Sequence, residues 1–146
     1  MPDLDPLSRL ARFYAAENAY VGAPPAQRNL GGMLAELDPD VVVDVPRSLP
    51  HGGRWSGHEG FAALFAEVPR RWSAFEVVHD PAATHRVGGD RVLVEAHFRG
   101  VLRDGGAEVE MPFVSLVTFT ERGASRLDHF WKDTAAVVLA GRGGVA

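Results

Sequence analysis

The spacing of apolar residues along the chain changes about half way through the sequence. Over most of the first half they recur every three or four positions, which is the repeat of an α-helix. From Ser73 onward they recur at every second position, as in a β-strand with one buried face. The pattern therefore predicts helices first and strands afterwards, and not a regular alternation of the two.

Three helices are predicted in the first half. The first covers residues 6–21, because the Asp5 carboxylate can accept hydrogen bonds from free backbone N–H groups and the proline after it suits a first helical position. A shorter helix is expected over residues 28–37. Ser56 and Glu59 have the spacing of a capping box, so we expect the third helix, with the clearest apolar face, to follow them.

The strands are expected to pair as an antiparallel sheet. A β-branched run at residues 41–43 predicts a short buried strand after a turn at residues 38–40. Four longer strands are expected at residues 75–85, 91–102, 108–120 and 125–133, separated by turns rich in glycine and aspartate. Because no helix separates the later strands, the fold class is α+β, with a curved antiparallel sheet wrapped on three N-terminal helices.

Composition narrows the class of protein. The chain has 146 residues, about the length of one domain, and we expect a single domain over residues 1–140 with a flexible tail at 141–146. It has no cysteine, so disulfides and thiolate chemistry are excluded. A net charge of −4 with scattered basic residues argues against nucleic acid as a partner. No apolar run approaches the roughly 18 residues that span a bilayer, so a soluble, cytoplasmic protein without membrane contact is expected.

Four segments carry a resemblance to a known family. They are residues 13–18 (Phe-Tyr-Ala-Ala-Glu-Asn), residues 40–46, the Gly-Arg-Trp-Ser-Gly turn at 53–57, and the closing segment 123–133. Together they resemble the SnoaL-like family of the nuclear transport factor 2-like and ketosteroid isomerase-like superfamily. The resemblance implies a cone-shaped pocket between sheet and helices, usually without a cofactor, and often a dimer on the outer sheet face. Because this fold carries many activities, it does not by itself give the function.

The residues that would perform ketosteroid isomerisation are missing. The resemblance places Phe13, Val45 and Ser115 where that enzyme has a tyrosine, a general-base aspartate and an aspartic acid. Without the general base and the two hydrogen-bond donors, no residue at these positions can transfer the proton or stabilise the enolate, so we exclude this activity. The epoxide hydrolases of the same fold would have an acid where this chain has Phe130.

The SnoaL-type cyclases offer a closer match in the last strand. Their catalytic aspartate falls on Asp128 or, with a register shift of one residue, on His129, and strand alternation puts these two on opposite faces. A carboxylate in an apolar pocket has a raised pKa and can transfer protons. We predict Asp128 as the general acid and base with His129 as the alternative; either side chain could instead face solvent or a partner subunit. His51, in a loop that borders the pocket, is a third candidate for proton transfer or is a surface histidine.

The rest of the predicted site is apolar and holds no metal. His79, His85 and His97 lack the spacing of a metal site, so neither a metal nor another cofactor is expected. Alternating apolar residues on the later strands predict a hydrophobic pocket. Its substrate-binding residues are expected to be Tyr14, Trp55, Phe98, Phe113, Ser115 and Phe130.

Two functions are compatible with this pocket. The first is an enzyme that uses cofactor-free acid and base chemistry for cyclisation, isomerisation or dehydration of a polyketide-, steroid- or terpenoid-like molecule. The second is a non-catalytic ligand-binding or dimeric scaffold protein. A homodimer is expected in both cases, because Val114 and Leu116 leave the other face of the sheet apolar.

Overall fold

The computed structural model describes residues 4–142 and confirms the α+β class. Most of the predicted tail, residues 143–146, lies outside the described residues, and the division at residue 140 stays a prediction. The elements in chain order are α1 (Pro6–Gly22), a 3-10 turn (Pro25–Gln27), α2 (Gly31–Leu34), β1 (Leu37–Val45), β2 (Gly53–Ser56), α3 (Gly57–Arg71), β3 (Trp72–Arg86), β4 (Arg91–Leu102), β5 (Glu108–Thr120), β6 (Gly123–Trp131) and α4 (Thr134–Gly141).

The six strands form one curved sheet that is not closed into a barrel. Their order is β2-β1-β6-β5-β4-β3, so the last four strands are a meander in which each pairs antiparallel with its sequence neighbour. β1 joins the other edge of the meander by pairing parallel with β6. The long strand β3 is continuous but irregular between His79 and Thr84, where its register with β4 shifts.

The core lies between the concave face of the sheet and the helices α1 and α3. Strand β4 is buried at every second residue, as the period-two pattern predicted. Helix α3 buries Phe61, Leu64, Phe65 and Val68, which lie on one face of the helix. Trp72 at the start of β3 and Phe98 on β4 are almost completely buried and form the centre of an aromatic cluster.

The starts of the two long helices test the predicted caps. Asp5 Oδ2 accepts from the backbone N–H groups of Leu7 and Ser8, at 3.1 and 3.3 Å, which confirms the start of α1. The capping box at Ser56 is wrong, because its side chain makes no capping hydrogen bond. The first residue of α3, Gly57, has a φ of +70°, so the backbone leads into this helix in a geometry that a capping box does not use.

Four other elements differ from what the sequence pattern predicted. The second helix is only Gly31–Leu34, because it begins with two glycines, which are poor helix formers. Residues 38–40, predicted as a turn, belong to β1, whose register with β6 is irregular there. β2 and α4 were not predicted: β2 has four residues, and α4 is apolar without an amphipathic pattern. Among the described residues, no helix is both long and apolar enough to cross a membrane.

Candidate functional site

An apolar cavity lies between the concave face of the sheet and the helices α1 and α3. It encloses about 550 Å³ of empty space, part of which is open to solvent. Twelve of its sixteen lining residues are apolar, and the four polar ones are Tyr14, Glu17, His51 and His129. A mostly apolar cavity with a few converging polar groups is the usual form of a small-molecule site.

Glu17 is the least expected of the polar residues. It lies on α1 with only 7% of its surface exposed, and its Oε1 is buried without a hydrogen-bond partner among the described residues. Burial raises the pKa of its carboxyl to about 8, because no neighbouring charge compensates the loss of water around the ionised form. At neutral pH the Glu17 side chain is therefore mostly the uncharged acid.

Two hydroxyl groups extend the polar cluster beside Glu17. Tyr14, one helical turn before Glu17, is 3% exposed, and burial together with the nearby carboxyl raises the pKa of its phenol. Ser115 on β5 is completely buried close to Tyr14 and offsets a little of that shift. Neither hydroxyl makes a hydrogen bond of acceptable geometry with a described residue, and of the two only Tyr14 lines the cavity, so its hydroxyl can interact with a ligand.

His129 on β6 is the next polar group along the cavity wall. It stands directly opposite Ser115 in the sheet, and its ring lies 5.9 Å from that of Phe113. Its Nδ1 is enclosed without a partner among the described residues, although the residue as a whole keeps some exposed surface. Burial lowers the pKa of His129 to about 4, despite the opposing effect of Asp128 and Asp44. The ring is therefore uncharged at neutral pH and can accept a proton.

His51 lies in the cavity wall and not on the surface. It is 4% exposed, and Trp72 Nε1 donates a hydrogen bond of 3.2 Å to its Nδ1. Burial, and secondarily the neighbouring His129, lower the pKa of His51 to about 3. Trp55 Nε1 donates to the backbone carbonyl of His51 at 3.2 Å, which holds the loop in place.

Asp128 does not line the cavity, and our preference for it over His129 is corrected. Strand alternation turns it to the outer face, where its carboxylate accepts from Arg126 Nε at 2.9 and 3.1 Å. The same arginine lies 3.6 Å from the carboxylate of Asp44. Phe130 shares this outer face and is 59% exposed, so it does not line the cavity either.

The remaining predicted contact residues divide into two groups. Tyr14 and Phe113 line the cavity. The other three do not line it, namely Phe98, Ser115 and Trp55. Phe98 is fully buried with its ring 4.5 Å from that of Trp131, and Trp55 supports the loop of His51. Over residues 4–142, no group of three or more histidine, aspartate or glutamate side chains could hold a metal ion.

Sequence reasoning missed Glu17, although a signal for it was present. The apolar face of α1 includes Leu10 and Tyr14, and the helical repeat continues that face through position 17. An acidic residue on the buried face of a helix is rare unless it is paired or functional. The spacing therefore contained the information that a buried carboxyl lies beside Tyr14.

The sequence model of the SnoaL-like domain matches residues 10–126. The chain therefore belongs to the SnoaL-like family. Its solved structural neighbours are NTF2-like and ketosteroid isomerase-like proteins. Among curated proteins, no sequence matches the chain significantly.

Three solved structures illustrate the likeness. An NTF2-like protein of unknown function from Burkholderia pseudomallei K96243 is 24% identical, with 96% of this chain and 97% of that chain covered and a TM-score of 0.76. TerC, co-crystallised with polyporic acid, is 22% identical, with 89% and 93% covered and a TM-score of 0.73. A protein with a ketosteroid isomerase-like fold from Catenulispora acidiphila DSM 44928, in complex with trimethylamine, is 17% identical, with 94% and 93% covered and a TM-score of 0.70. At these identities the likeness shows the fold alone.

Proposed function

We propose that this protein is an enzyme that performs cofactor-free acid and base chemistry on a hydrophobic molecule held in the cavity. The observation that carries the proposal is that burial shifts the pKa values of two residues of the same cavity in opposite directions. Burial raises the pKa of Glu17 to about 8 and lowers that of His129 to about 4. At neutral pH the carboxyl keeps its proton and the imidazole has none, which is the reverse of their order in water.

This pair can remove one proton and deliver another. In an isomerisation, His129 takes a proton from a carbon next to a substrate carbonyl, and the C–H electrons form the enol double bond. Glu17 gives its proton to the carbonyl oxygen, so the intermediate is a neutral enol. The reverse transfers at a different carbon complete the reaction without net change in either residue. Cyclisation and dehydration need the same two operations, so the pair does not distinguish among them.

The substrate class follows from the cavity wall. Each of its four polar side chains is mostly uncharged at neutral pH, and the other lining residues are apolar. Such a site favours an uncharged, hydrophobic molecule over an ion, because an ion would lose its water without gaining a counter-charge. This supports a polyketide-, steroid- or terpenoid-like substrate. Two structural neighbours were solved with small molecules, which agrees with this use of the fold only by analogy.

A non-catalytic ligand-binding protein is the second candidate. The observation that favours it is the set of unpaired buried groups in the cavity wall, namely Tyr14 Oη, Glu17 Oε1 and His129 Nδ1. A ligand with two or three polar atoms could satisfy them and remain unchanged. The same cavity then only stores or delivers the molecule.

One experiment separates the two functions. The protein is screened by thermal shift against aromatic polyketides, steroids and terpenoids, since a ligand at 100 times its Kd adds about 2.7 kcal/mol of stability. Each hit is then incubated with wild type, Glu17→Gln, His129→Gln and the matched outer-face control Asp128→Asn. An enzyme should lose roughly 100-fold or more of kcat in the two cavity variants and almost nothing in the control. Ligands that bind all four proteins and stay intact would identify a binding protein.

The pH dependence gives a second check on the residue roles. For free enzyme, kcat/KM should fall below about pH 4 as His129 gains a proton and above about pH 8 as Glu17 loses one. Glu17→Gln should remove the alkaline limb from whatever activity remains. An alkaline limb that survives in this variant would contradict the role of Glu17.

We also propose a homodimer that covers the outer face of the sheet, and a soluble, cytoplasmic protein. Val114 and Phe130 are directly paired on that face, and Phe130 is 59% exposed. An exposed apolar patch of this kind, beside the Arg126–Asp128 ion pair, favours burial against a second copy of the chain. Phe130→Asp should convert dimer to monomer in sedimentation at micromolar concentration, while Phe113→Asp would unfold the cavity instead; a wild-type monomer at these concentrations would contradict the dimer.

A further inference from the structure

At one end of the cavity His51, Phe75 and Trp131 form the wall, and Trp72 packs behind the imidazole. The ring of His51 lies edge-on to those of Trp72, Phe75 and Trp131, with centroid distances of 6.1, 5.8 and 5.7 Å and interplanar angles of 73°, 82° and 62°. We call these four residues the aromatic end. Its only side-chain nitrogen atoms are those of His51 and the two indoles.

The hydrogen bond from Trp72 determines where His51 carries its proton. An indole N–H can only donate, so His51 Nδ1, at 3.2 Å from Trp72 Nε1, must accept and must be unprotonated. A neutral imidazole has one proton, which is then on Nε2. The ring is neutral because it is buried among aromatic side chains, and its pKa is lowered to about 3.

The free nitrogen of His51 is therefore a donor on the cavity side. The ring lines the cavity while Trp72 does not, and Nε2 lies on the ring edge away from Nδ1. Nε2 makes no hydrogen bond with any residue of the described chain. An acceptor atom of a ligand that reaches this N–H would form a hydrogen bond that no described residue makes.

The geometry points to the aromatic end as a subsite for the carbonyl oxygen of a flat aromatic ligand, with His51 Nε2–H as its donor and Trp72 as the residue that fixes the tautomer. This inference rests on the proposed small-molecule function of the cavity and adds the ligand group that it recognises. It changes the role expected for His51, because a ring whose cavity nitrogen holds the proton donates and does not act as a base. Trp72 is a positioning residue, since it acts on the ligand only through His51.

The first test is the tautomer itself. Long-range 1H–15N correlation spectra of protein labelled at histidine nitrogen distinguish a proton on Nε2 from one on Nδ1. We expect His51 of the wild type to be fully in the Nε2–H form, and Trp72→Phe to give a mixture. Trp131→Phe is the matched control, because it removes indole area from the same aromatic end and leaves the hydrogen bond from Trp72 to His51 in place. A proton on Nδ1 in the wild type would overturn the inference.

The second test uses fluorenone and fluorene as probes, which have the same flat ring system with and without a carbonyl oxygen. The wild type should bind fluorenone roughly tenfold more tightly than fluorene, as one hydrogen bond of ordinary strength predicts. This preference should shrink in Trp72→Phe, vanish in His51→Phe, and persist in Trp131→Phe even if both probes bind that control more weakly. Equal preference in wild type and His51→Phe, or no binding of fluorenone up to its solubility limit, would overturn the subsite.

These measurements remain informative if a variant does not fold or if the protein is not an enzyme. Should Trp72→Phe fail to give a folded thermal transition, the wild-type tautomer and the His51→Phe binding ratio still decide the inference. Neither test involves turnover. Loss of the predicted activity would therefore leave the subsite standing, and loss of the subsite would leave the roles of Glu17 and His129 to be judged by their own variants.

Discussion

Replacing Glu17 by glutamine tests the central feature of the cavity, because the two side chains have nearly the same shape and differ in whether they can ionise. In the unfolded chain the carboxyl ionises near its ordinary pKa of 4.5, whereas in the folded protein burial raises that pKa to about 8. A group whose pKa is raised by folding contributes stability below the unfolded pKa, and that contribution is lost as the pH rises toward the folded pKa. Glutamine has no such dependence.

The size of the effect follows from the two pKa values. From pH 5 to pH 9 the free energy of unfolding of the wild type should fall, relative to Glu17→Gln, by about 4 kcal/mol. Most of the change lies between pH 5 and pH 8, and the difference levels off above pH 8 because the folded carboxyl then ionises as well. For a protein of this size such a change corresponds to a relative shift in Tm of roughly 10 °C.

The assay is urea unfolding followed by tryptophan fluorescence at several pH values in that range. The matched control is Glu108→Gln, because Glu108 is exposed at the start of β5 and should give a profile parallel to the wild type. The change of stability with pH is the quantity compared, because the absolute offset at pH 5 also contains the hydrogen bonding of the glutamine amide in the cavity. If the profiles of wild type and Glu17→Gln run parallel, Glu17 titrates normally and its role as a buried acid is refuted.

Three further changes have outcomes that the structure determines. Phe75→Ala should admit larger ligands, because Phe75 lines both the cavity and two adjoining surface clefts. The measurement is the binding of longer members of a ligand series, and unchanged size selection would contradict this. Gly100→Ala should destabilise the fold by roughly 1 to 3 kcal/mol in urea unfolding, because a Cβ there would lie 2.5 Å from Phe98 and 2.9 Å from Trp72, and a neutral result would mean that the aromatic rings can move. Between pH 6.5 and pH 4 the wild type should lose up to about 3 kcal/mol of stability through His129, because burial lowers the pKa of this histidine to about 4. His129→Gln should lack this part of the loss, and unaltered acid unfolding in the variant would contradict it.

The later strands could be predicted from the sequence because each has a long run of alternating residues. The bounds of β4 and β5 agree with their predictions at both ends. Short elements carry too few repeats to be recognised in this way, and β2 has only four residues. The cap of α3 also escaped prediction, because residue spacing alone does not show the positive φ of Gly57.

The candidate site was harder to predict, since it depends on which face of a strand becomes the inner one. Alternation put Asp128 and His129 on opposite faces and left the choice between them to the family resemblance. The flanking residues indicate which face is the inner one. His129 lies between Leu127 and Trp131, both of which line the cavity, whereas Asp128 shares its strand face with Arg126 and forms an ion pair with it. Burial of large apolar neighbours determines the face of a strand more strongly than the position of one acidic residue does.

Taken together, the unpaired polar groups of the cavity are the hydrogen-bond partners that an uncharged ligand would need. A buried carboxyl such as Glu17 lowers stability at neutral pH, and a leucine of similar volume would remove that cost. The hydroxyl of Tyr14 and the Nδ1 of His129, which line the same cavity, are also enclosed without protein partners in the described chain. Where polar groups that cost stability converge on one cavity, function is the usual reason that they are kept. Because these groups include a protonated acid and an unprotonated base, the arrangement fits proton transfer better than binding alone, which would require neither the raised pKa of Glu17 nor the lowered pKa of His129.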